Sequence, residues 1–326
     1  MSDKNLPVLE VENLNIGFKS DNQLVSVVED ISFTLNSGET LALVGESGCG
    51  KSLTALAMLQ LLPAFGKILS GSIKLHGKEL VGMSDRSMQA IRGNNISMIF
   101  QEPMSALNPV FTIGQQVAEP LILHKNMSKA AAFKRAIEML EAVGIPDPIS
   151  RANNYPHQLS GGMRQRVMIA IALACEPDIL IADEPTTALD VTIQAQILDL
   201  MHDLQEKFGT SILFISHDFG VVSRMADEIA VMYAGRVIEE GSAQDILVEP
   251  QHPYTTALLN TTPRIDVSVD RLPAIPGRVP TPAERPEGCF FAPRCKLASS
   301  LCSTEQPLPT KLSRSHSAAC HEVGNG

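Results

Sequence analysis

Two hydrophobic patterns alternate along the first 260 residues of the chain. Short, mostly apolar runs predict buried β-strands. These runs are residues 41–44, 97–100, 179–182 and 212–215. Residues 130–143 instead place apolar side chains at every third or fourth position, which predicts an amphipathic helix that ends at Gly144. Strands that alternate with helices are typical of an α/β fold with a mostly parallel sheet.

The two ends of the chain depart from this alternation. Residues 8–35 alternate apolar and polar positions, which predicts an antiparallel β portion at the edge of the main sheet. Nine of the 21 prolines lie in residues 261–326, and proline interrupts both helices and strands. We therefore predict one domain at residues 1–260 and a small separate C-terminal domain at residues 261–326.

The composition limits the classes of protein to which the chain can belong. With 44% hydrophobic and 19% charged residues, the 326-residue chain can bury a large core and is not of the disordered class. Its apolar stretches are far shorter than the roughly 20 residues that cross a bilayer, so no membrane-spanning helix is predicted. The formal net charge of −10 argues against nucleic-acid binding, because phosphate contacts need clustered Lys and Arg.

Residues 45–52 fit the pattern G-x-x-x-x-G-K-[ST] between a predicted strand and a predicted helix, which is the context of a phosphate-binding P-loop. Glycines let successive N–H groups face a phosphate, Lys51 can reach the β- and γ-phosphate oxygens, and the Ser52 hydroxyl can ligate Mg²⁺. We therefore predict that this loop binds a nucleotide with Mg²⁺. Its predicted nucleotide-binding residues are Gly45, Ser47, Gly48, Cys49, Gly50, Lys51, Ser52 and Leu53.

A second candidate element lies where the apolar run at residues 179–182 ends in Asp183 and Glu184. Downstream of a P-loop, a strand that ends in two carboxylates resembles a Walker B segment. Asp183 would then hold Mg²⁺, and Glu184 would polarise the attacking water as the general base. A strand that merely enters a solvated loop is the alternative interpretation.

Residues 159–166 read LSGGMRQR and closely resemble the LSGGQ signature of the ATP-binding-cassette (ABC) ATPases. Ser160, Gly161 and Gly162 stand at the start of a predicted helix, whose N-terminus favours an anion. In that family two cassettes meet head to tail, so that each ATP lies between the P-loop of one and the signature of the other. The resemblance covers about residues 6–260 and implies a P-loop NTPase cassette with an inserted helical subdomain at about residues 102–165.

Further positions match this family one by one. Gln101 resembles the Q-loop glutamine that touches Mg²⁺ or the water, and Asp190 resembles the D-loop aspartate. His217 matches the switch histidine that contacts the γ-phosphate. Phe18 lies where the family places an adenine-stacking aromatic, and a core residue of an edge strand is the alternative. The resemblance thus implies the catalytic residues Glu184, His217 and Gln101 and the Mg²⁺ ligands Ser52, Gln101 and Asp183.

The residues that flank these motifs resemble those of the ATPases of dipeptide, oligopeptide and nickel importers. The similar segments are residues 44–47, 100–109, 155–158 and 251–255. The resemblance implies an ATPase that powers the uptake of dipeptides or oligopeptides, bound peripherally to the cytoplasmic face of the bacterial inner membrane. Its implied partners are a second ABC ATPase subunit, two transmembrane permease subunits and an external substrate-binding protein, without nucleic acid. The alternatives are an importer of nickel or another solute and a soluble, non-transport ABC ATPase.

Four of the six cysteines crowd into the C-terminal segment, namely Cys289, Cys295, Cys302 and Cys320. Thiolates in a proline-rich segment with little core of its own predict a metal site that holds the fold together. The same spacing resembles the C-terminal region of the dipeptide-importer ATPases, which implies a [4Fe-4S] cluster. Zinc and unligated buried thiols are the alternatives.

Cys49 is a separate case, because it lies beside Lys51 at the start of a predicted helix. A neighbouring positive charge and a helix N-terminus both favour a reactive thiolate. A thiol that is turned into the interior is the alternative, since free cysteine is often buried.

Overall fold

The computed structural model describes residues 7–20, 23–101, 106–187, 189–261 and 274–323. The chain forms two compact units, each assembled from separate stretches of sequence. The first unit comprises residues 1–8, 36–38 and 82–213, and the second comprises residues 9–35, 39–81 and 214–326. The first four residues of the predicted helical subdomain, 102–105, and residues 262–273 and 324–326 of the predicted C-terminal domain lie outside the described residues.

Strands and helices alternate along the described residues. The strands are β1 (Pro7–Ser20), β2 (Gln23–Asn36), β3 (Thr40–Val44), β4 (Gly66–Leu75), β5 (Lys78–Glu79), β6 (Ile96–Ile99), β7 (Ile179–Asp183), β8 (Ser211–Ser216), β9 (Glu228–Tyr233), β10 (Arg236–Ser242), β11 (Thr310–Lys311) and β12 (Ser317–Ala318). The helices are α1 (Lys51–Met58), α2 (Asp85–Gln89), α3 (Ile113–Lys125), α4 (Lys129–Ala142), α5 (Pro148–Arg151), α6 (Gly161–Leu173), α7 (Val191–Phe208), α8 (Phe219–Met225), α9 (Ala243–Val248), α10 (Pro253–Asn260) and α11 (Leu301–Thr304).

The second unit contains a four-stranded sheet with the order β2-β1-β4-β5. β1 and β4 run antiparallel, with Leu9 opposite Leu75 and Phe18 opposite Gly66. Leu9 and Val11 are both buried, and side chains two positions apart lie on one face of a strand. The antiparallel portion predicted from residues 8–35 is confirmed, but it lies in a sheet of its own and not at the edge of the sheet that contains β3.

β3 leads into the P-loop, and all five of its residues are buried. It pairs in parallel with β9, with Val44 opposite Val231. β9 pairs antiparallel with β10, and the short strands β12 and β11 follow beyond β10. Residues near the C-terminus of the chain therefore extend the sheet that contains the P-loop strand.

The first unit combines a parallel strand pair with packed helices. β6 and β7 are parallel, with Ile99 opposite Ala182. α4 begins after Ser128, whose hydroxyl accepts a hydrogen bond from the N–H of Ala131, and it packs against α3 and α6. One face of α4 is buried, as the helical period of residues 130–143 predicts. The residues of that face are Ala132, Ala136, Met139 and Leu140.

β8 passes from the first unit into the second after Leu213, and all six of its residues are buried. The predicted α/β class with mixed sheets is confirmed. In the described part of the chain, no helix combines the length and the apolarity that a membrane span requires. The domain limits at residues 102–165 and at residue 260 stay predictions, and the second unit includes residues on both sides of residue 260.

Candidate active site

The P-loop connects the end of β3 at Val44 to the start of α1 at Lys51. Gly45 has a φ of +153°, and a β-carbon there would lie 2.2 Å from the carbonyl oxygen of Met232, so no side chain fits. Gly50 has a φ of +109° and offers no side chain to cap the first N–H groups of α1. A helix N-terminus without a side-chain cap suits an anion, so the loop fits a phosphate group.

The Lys51 ammonium lies inside this loop, and Lys51 is only 5% exposed. Its Nζ donates hydrogen bonds to the carbonyl oxygens of Gly45 at 2.7 Å and Glu46 at 3.1 Å. These carbonyl oxygens satisfy the donors without cancelling the positive charge, which remains available to attract an anion. Ser52, the next residue, is exposed to solvent.

Cys49 is turned into the interior and is only 1% exposed. Burial raises the pKa of the Cys49 thiol, and the charge of Lys51, whose Nζ lies 3.6 Å from Sγ, opposes this only in part. A protonated and inaccessible sulfur is a poor nucleophile. The structure therefore favours the buried thiol over the reactive thiolate.

In the first unit, β7 ends at the buried Asp183, and Glu184 follows with a φ of 45°. This left-handed backbone is uncommon for a residue with a side chain, and such residues cluster at functional sites. The Glu184 carboxylate accepts hydrogen bonds from Nε2 of Gln101 at 2.8 Å and from the Thr187 hydroxyl at 3.0 Å. The structure brings the predicted residues Gln101 and Glu184 together and adds Thr187, which no sequence motif singled out.

The signature residues begin helix α6. The Ser160 hydroxyl accepts a hydrogen bond from the N–H of Met163 at 3.4 Å, as an N-cap does. A β-carbon on Gly161 would meet nothing within 4 Å, whereas one on Gly162 would lie 3.1 Å from Cγ2 of Ile193. Asp190 caps α7 by accepting a hydrogen bond from the N–H of the same Ile193 at 2.9 Å. The structure therefore brings the signature glycines close to the residues that begin α7.

Two predicted residues of the second unit lie at the ends of strands. Phe18, near the end of β1, is half-buried, and its Cε1 would lie 2.9 Å from a β-carbon on Gly66. His217 follows β8 and is exposed to solvent, and Asp218 after it caps α8. The nucleotide-contacting roles of Phe18 and His217 stay predictions.

Two residues far along the chain contact the P-loop, and sequence reasoning missed both. The hydroxyl of Tyr254 accepts a hydrogen bond from the N–H of Glu46 at 2.9 Å. The guanidinium of Arg294 pairs with the Glu46 carboxylate at 2.7 and 3.0 Å. Both residues lie in segments that carry the family resemblance, but nothing in their spacing indicates a partner so far away in sequence.

The predicted iron–sulfur or other metal cluster at the C-terminal cysteines is wrong. The structure describes Cys289, Cys295, Cys302 and Cys320, yet within the described ranges no group of three or more His, Cys, Asp or Glu residues is arranged to hold a metal ion. All four cysteines are free thiols. Burial raises the pKa of three of them, Cys289, Cys295 and Cys320, and therefore opposes the thiolate form that binds metals.

This segment is held by other contacts. Nε2 of His316 lies 2.8 Å from the buried carboxylate of Glu239 on β10. Arg285 pairs with Glu29 on β2 at 2.7 Å, and β12 pairs with β10. Polar contacts within the chain therefore hold this segment in place, a role that the sequence had suggested for a metal.

Sequence profiles of two families match the chain. The ABC transporter profile matches residues 28–187. The profile of the oligopeptide/dipeptide transporter C-terminal region matches residues 238–302. The second match begins within β10 and includes three of the four C-terminal cysteines.

Individual relatives agree with these matches. The chain is 55% identical over 301 residues to the oligopeptide transport ATP-binding protein AppD of Bacillus subtilis (strain 168), a match that covers 92% of each chain. It is 52% identical over 314 residues to the dipeptide transport ATP-binding protein DppD of the same organism, covering 96% of this chain and 94% of the relative.

A solved structure with a similar fold is the dimeric post-hydrolysis state of the ATP-binding cassette MJ0796 bound to ADP and Pi. The TM-score is 0.63 at 30% sequence identity, and the match covers 72% of this chain and 98% of that one. The match thus extends over almost all of a cassette whose structure holds a nucleotide. The chain therefore belongs to the ABC transporter ATP-binding proteins that carry the oligopeptide/dipeptide transporter C-terminal region.

Proposed function

We propose that the chain is the ATP-binding and ATP-hydrolysing subunit of an ABC importer that powers the uptake of dipeptides or oligopeptides. The observation that carries the proposal is the presence in one chain of an ABC cassette and of the oligopeptide/dipeptide transporter C-terminal region. The relatives AppD and DppD, which are similar over nearly the whole chain, are named as oligopeptide and dipeptide transport proteins. Family membership implies that the chain binds ATP and Mg²⁺.

The P-loop of the second unit would hold the phosphates. Its N–H groups and the Lys51 ammonium are the donors that a phosphate requires, and Ser52 would ligate Mg²⁺. His217 would contact the γ-phosphate, and Phe18 would stack on the adenine. When bound, Mg²⁺ supplies positive charge that offsets the charge of the transferring phosphate.

The first unit would supply the general base. Hydrogen bonds from Gln101 and Thr187 hold the Glu184 carboxylate in one orientation, which is what a group that accepts a proton from water needs. Asp183 and Gln101 would serve as further Mg²⁺ ligands. A second ABC ATPase subunit would bind its own ATP, and this ATP would be contacted by Ser160, Gly161, Gly162 and Asp190.

A groove on the first unit supports a membrane partner. A cavity of about 750 Å³ is lined by side chains of α3 and α4 and by Phe111, which precedes α3. Phe111 and Leu123 in this lining are 49% and 67% exposed, and exposed apolar side chains around a groove favour a protein contact. We assign this groove to a transmembrane permease subunit, which would place the chain peripherally at the cytoplasmic face of the bacterial inner membrane.

The test is to purify the tagged chain from membranes and identify the proteins that accompany it. We expect a second ABC ATPase and two membrane-spanning subunits. ATP hydrolysis by this complex in liposomes should rise when its external binding protein is loaded with a dipeptide or oligopeptide. Stimulation by a nickel-loaded binding protein and not by peptides would contradict peptide transport, and a complex without membrane-spanning subunits would contradict transport altogether.

A further inference from the structure

Glu46, the second residue of the P-loop, is bonded through its backbone and through its side chain. Its N–H donates to the Tyr254 hydroxyl at 2.9 Å, and its carbonyl oxygen accepts from Nζ of Lys51 at 3.1 Å. Its carboxylate accepts two parallel hydrogen bonds from Arg294, at 2.7 and 3.0 Å. One residue of the P-loop thus connects the phosphate-binding lysine to the C-terminal region.

The guanidinium of Arg294 is held in place on its other sides. Nε donates to the carbonyl oxygen of Pro276 at 2.8 Å, and Nη2 lies 3.4 Å from that of Ile275. Nη1 lies 3.4 Å from the Tyr233 hydroxyl, and the side chain of Arg294 is only 5% exposed. A planar group that is fixed by this many partners imposes its position on the carboxylate that it pairs with.

Packed aromatic rings support both contacts to Glu46. The rings of Tyr233 and Tyr254 are 4.7 Å apart, and the ring of Phe291 lies 5.2 Å from Tyr233 and 5.3 Å from Tyr254. Phe291 precedes Arg294 by one short 3₁₀ turn. Because the hydroxyl that accepts from Glu46 and the segment that carries Arg294 belong to one packed cluster, the C-terminal region and the P-loop cannot shift independently.

Charge adds to this mechanical link. The Glu46 carboxylate lies in the same loop as the Lys51 ammonium, and an unpaired carboxylate there would repel phosphates and compete for the lysine. Arg294 neutralises it. We propose that Arg294 is a positioning residue for nucleotide binding, which holds Glu46 in place and cancels its charge, so that the C-terminal region sets the affinity of the P-loop for nucleotide. This inference rests on the nucleotide site proposed above.

The first experiment is a calorimetric titration of the full-length chain with MgATP. Arg294→Ala should raise the Kd for MgATP by about tenfold, within the usual range of coupling between sites. Arg294→Lys keeps the charge but loses the two-point contact, so it should raise the Kd by about threefold; it also serves if Arg294→Ala does not fold. In the assembled ATPase, KM for ATP should rise about as much as Kd while kcat stays within about twofold.

A double variant separates the effect of charge from general damage. In Arg294→Ala combined with Glu46→Gln, no carboxylate is left unpaired, so the Kd should return to within about threefold of the wild-type value. The matched control is Arg285→Ala. Arg285 comes from the same C-terminal region, has a 7% exposed side chain and pairs with Glu29 at 2.7 Å rather than with the P-loop. Arg285→Ala should lower the melting temperature as Arg294→Ala does and leave the Kd within about twofold.

The outcomes separate this inference from the proposed function. A wild-type chain that binds no MgATP would overturn the nucleotide site itself. A wild-type chain that binds MgATP together with an Arg294→Ala variant that binds it equally well would overturn the role of Arg294 alone. Equal loss of affinity in Arg285→Ala would also overturn it, because Arg294 would then give only general support to the fold. No recovery in the double variant would overturn the cancellation of the Glu46 charge, which is part of the proposal.

Discussion

The P-loop and the four-cysteine segment both lie in the second unit, and each stands out in the sequence by its spacing. In the P-loop, the spacing prescribes the backbone itself, since Gly45 and Gly50 take φ values of +153° and +109° around a buried Lys51. In the C-terminal segment, four cysteines within 32 residues form no metal-holding group among the residues that the structure describes. The first spacing thus corresponds to a loop with the backbone that a phosphate site requires, whereas the second corresponds to no metal site among the described residues.

The two spacings differ in whether the groups that they bring together are close in sequence. All the groups that form a P-loop come from eight consecutive residues, so local backbone geometry is enough to bring them together. A metal cluster needs deprotonated side chains from distant positions to converge, and only tertiary packing decides whether they do. In this segment, the ion pair of Arg294 with Glu46, the contact of His316 with Glu239 and packed aromatic rings stabilise the fold, and burial opposes ionisation of the thiols.

The largest effect should come from Glu184, the residue predicted to be the general base of the nucleotide site. Glu184→Gln keeps the shape of the side chain but removes the base, so turnover should fall by about 10²- to 10⁴-fold while MgATP binding is preserved. Phosphate release and calorimetric titration measure the two quantities. Glu138→Gln, an exposed carboxylate on α4 that pairs with Arg135, is the control and should leave both unchanged. Normal turnover in Glu184→Gln would remove the general-base role.

A large loss of stability is expected at the buried carboxylate of Glu239, which contacts His316 of the C-terminal segment. The buried Glu239 carboxylate accepts hydrogen bonds from the N–H groups of Gln251 and His252 and contacts His316. Glu239→Ala leaves these buried groups without their acceptor and should lower the free energy of unfolding by about 3–5 kcal/mol, measured by urea denaturation. Glu240→Ala, at the half-buried neighbouring position, should cost less than about 1 kcal/mol. An equal loss of unfolding free energy in the two variants would show that the Glu239 carboxylate does not hold the C-terminal segment.

A moderate, pH-dependent effect is expected at Glu228 on β9, the strand between the P-loop strand β3 and β10. Burial, together with the nearby carboxylates of Glu39 and Asp245, raises the pKa of Glu228 to about 7. The folded chain then holds a proton that the unfolded chain releases at lower pH. The free energy of unfolding should therefore fall as the pH rises from the ordinary carboxyl pKa of about 4.5 to about 7.

Glu228→Gln removes the free-energy cost of ionising this buried carboxyl at high pH. It should raise the free energy of unfolding at pH 8 by about 1–2 kcal/mol and change it less at pH 5. Urea denaturation at the two pH values measures the difference. Glu249→Gln, at an exposed position, is the control. A stabilisation by Glu228→Gln that is the same at both pH values would show that its carboxyl does not titrate in this range.

The smallest effect is expected in the cysteine segment itself. Cys295 is half-buried, so Cys295→Ser should change the free energy of unfolding by less than about 1 kcal/mol. It should leave the iron and zinc contents of anaerobically purified protein unchanged, as measured by elemental analysis. Stoichiometric iron or zinc that is present in the wild type and lost in Cys295→Ser would show that the cysteines do hold a metal.

Elements whose pattern is local were predicted well. The helical period of residues 130–143 corresponds to α4 at Lys129–Ala142, and the apolar run at residues 41–44 corresponds to β3 at Thr40–Val44. The resemblance singled out Gln101 and Glu184 separately, but it did not predict the hydrogen bond between them or the hydrogen bond from Thr187 to Glu184. That bond joins residues 83 positions apart, and no local period reports such a separation.

The α/β class, the P-loop and the family could be inferred from the sequence, because hydrophobic periods, glycine backbone freedom and residue spacing act over a few neighbouring positions. Tertiary packing was needed to show that Arg294 reaches Glu46 across 248 residues and that the Cys49 thiol faces inward. It was also needed to show that, among the residues the structure describes, the four C-terminal cysteines form no metal site. The physical reason is that long-range pairing and burial depend on how the elements pack. Packing sets both the distance between two groups and whether each keeps its proton.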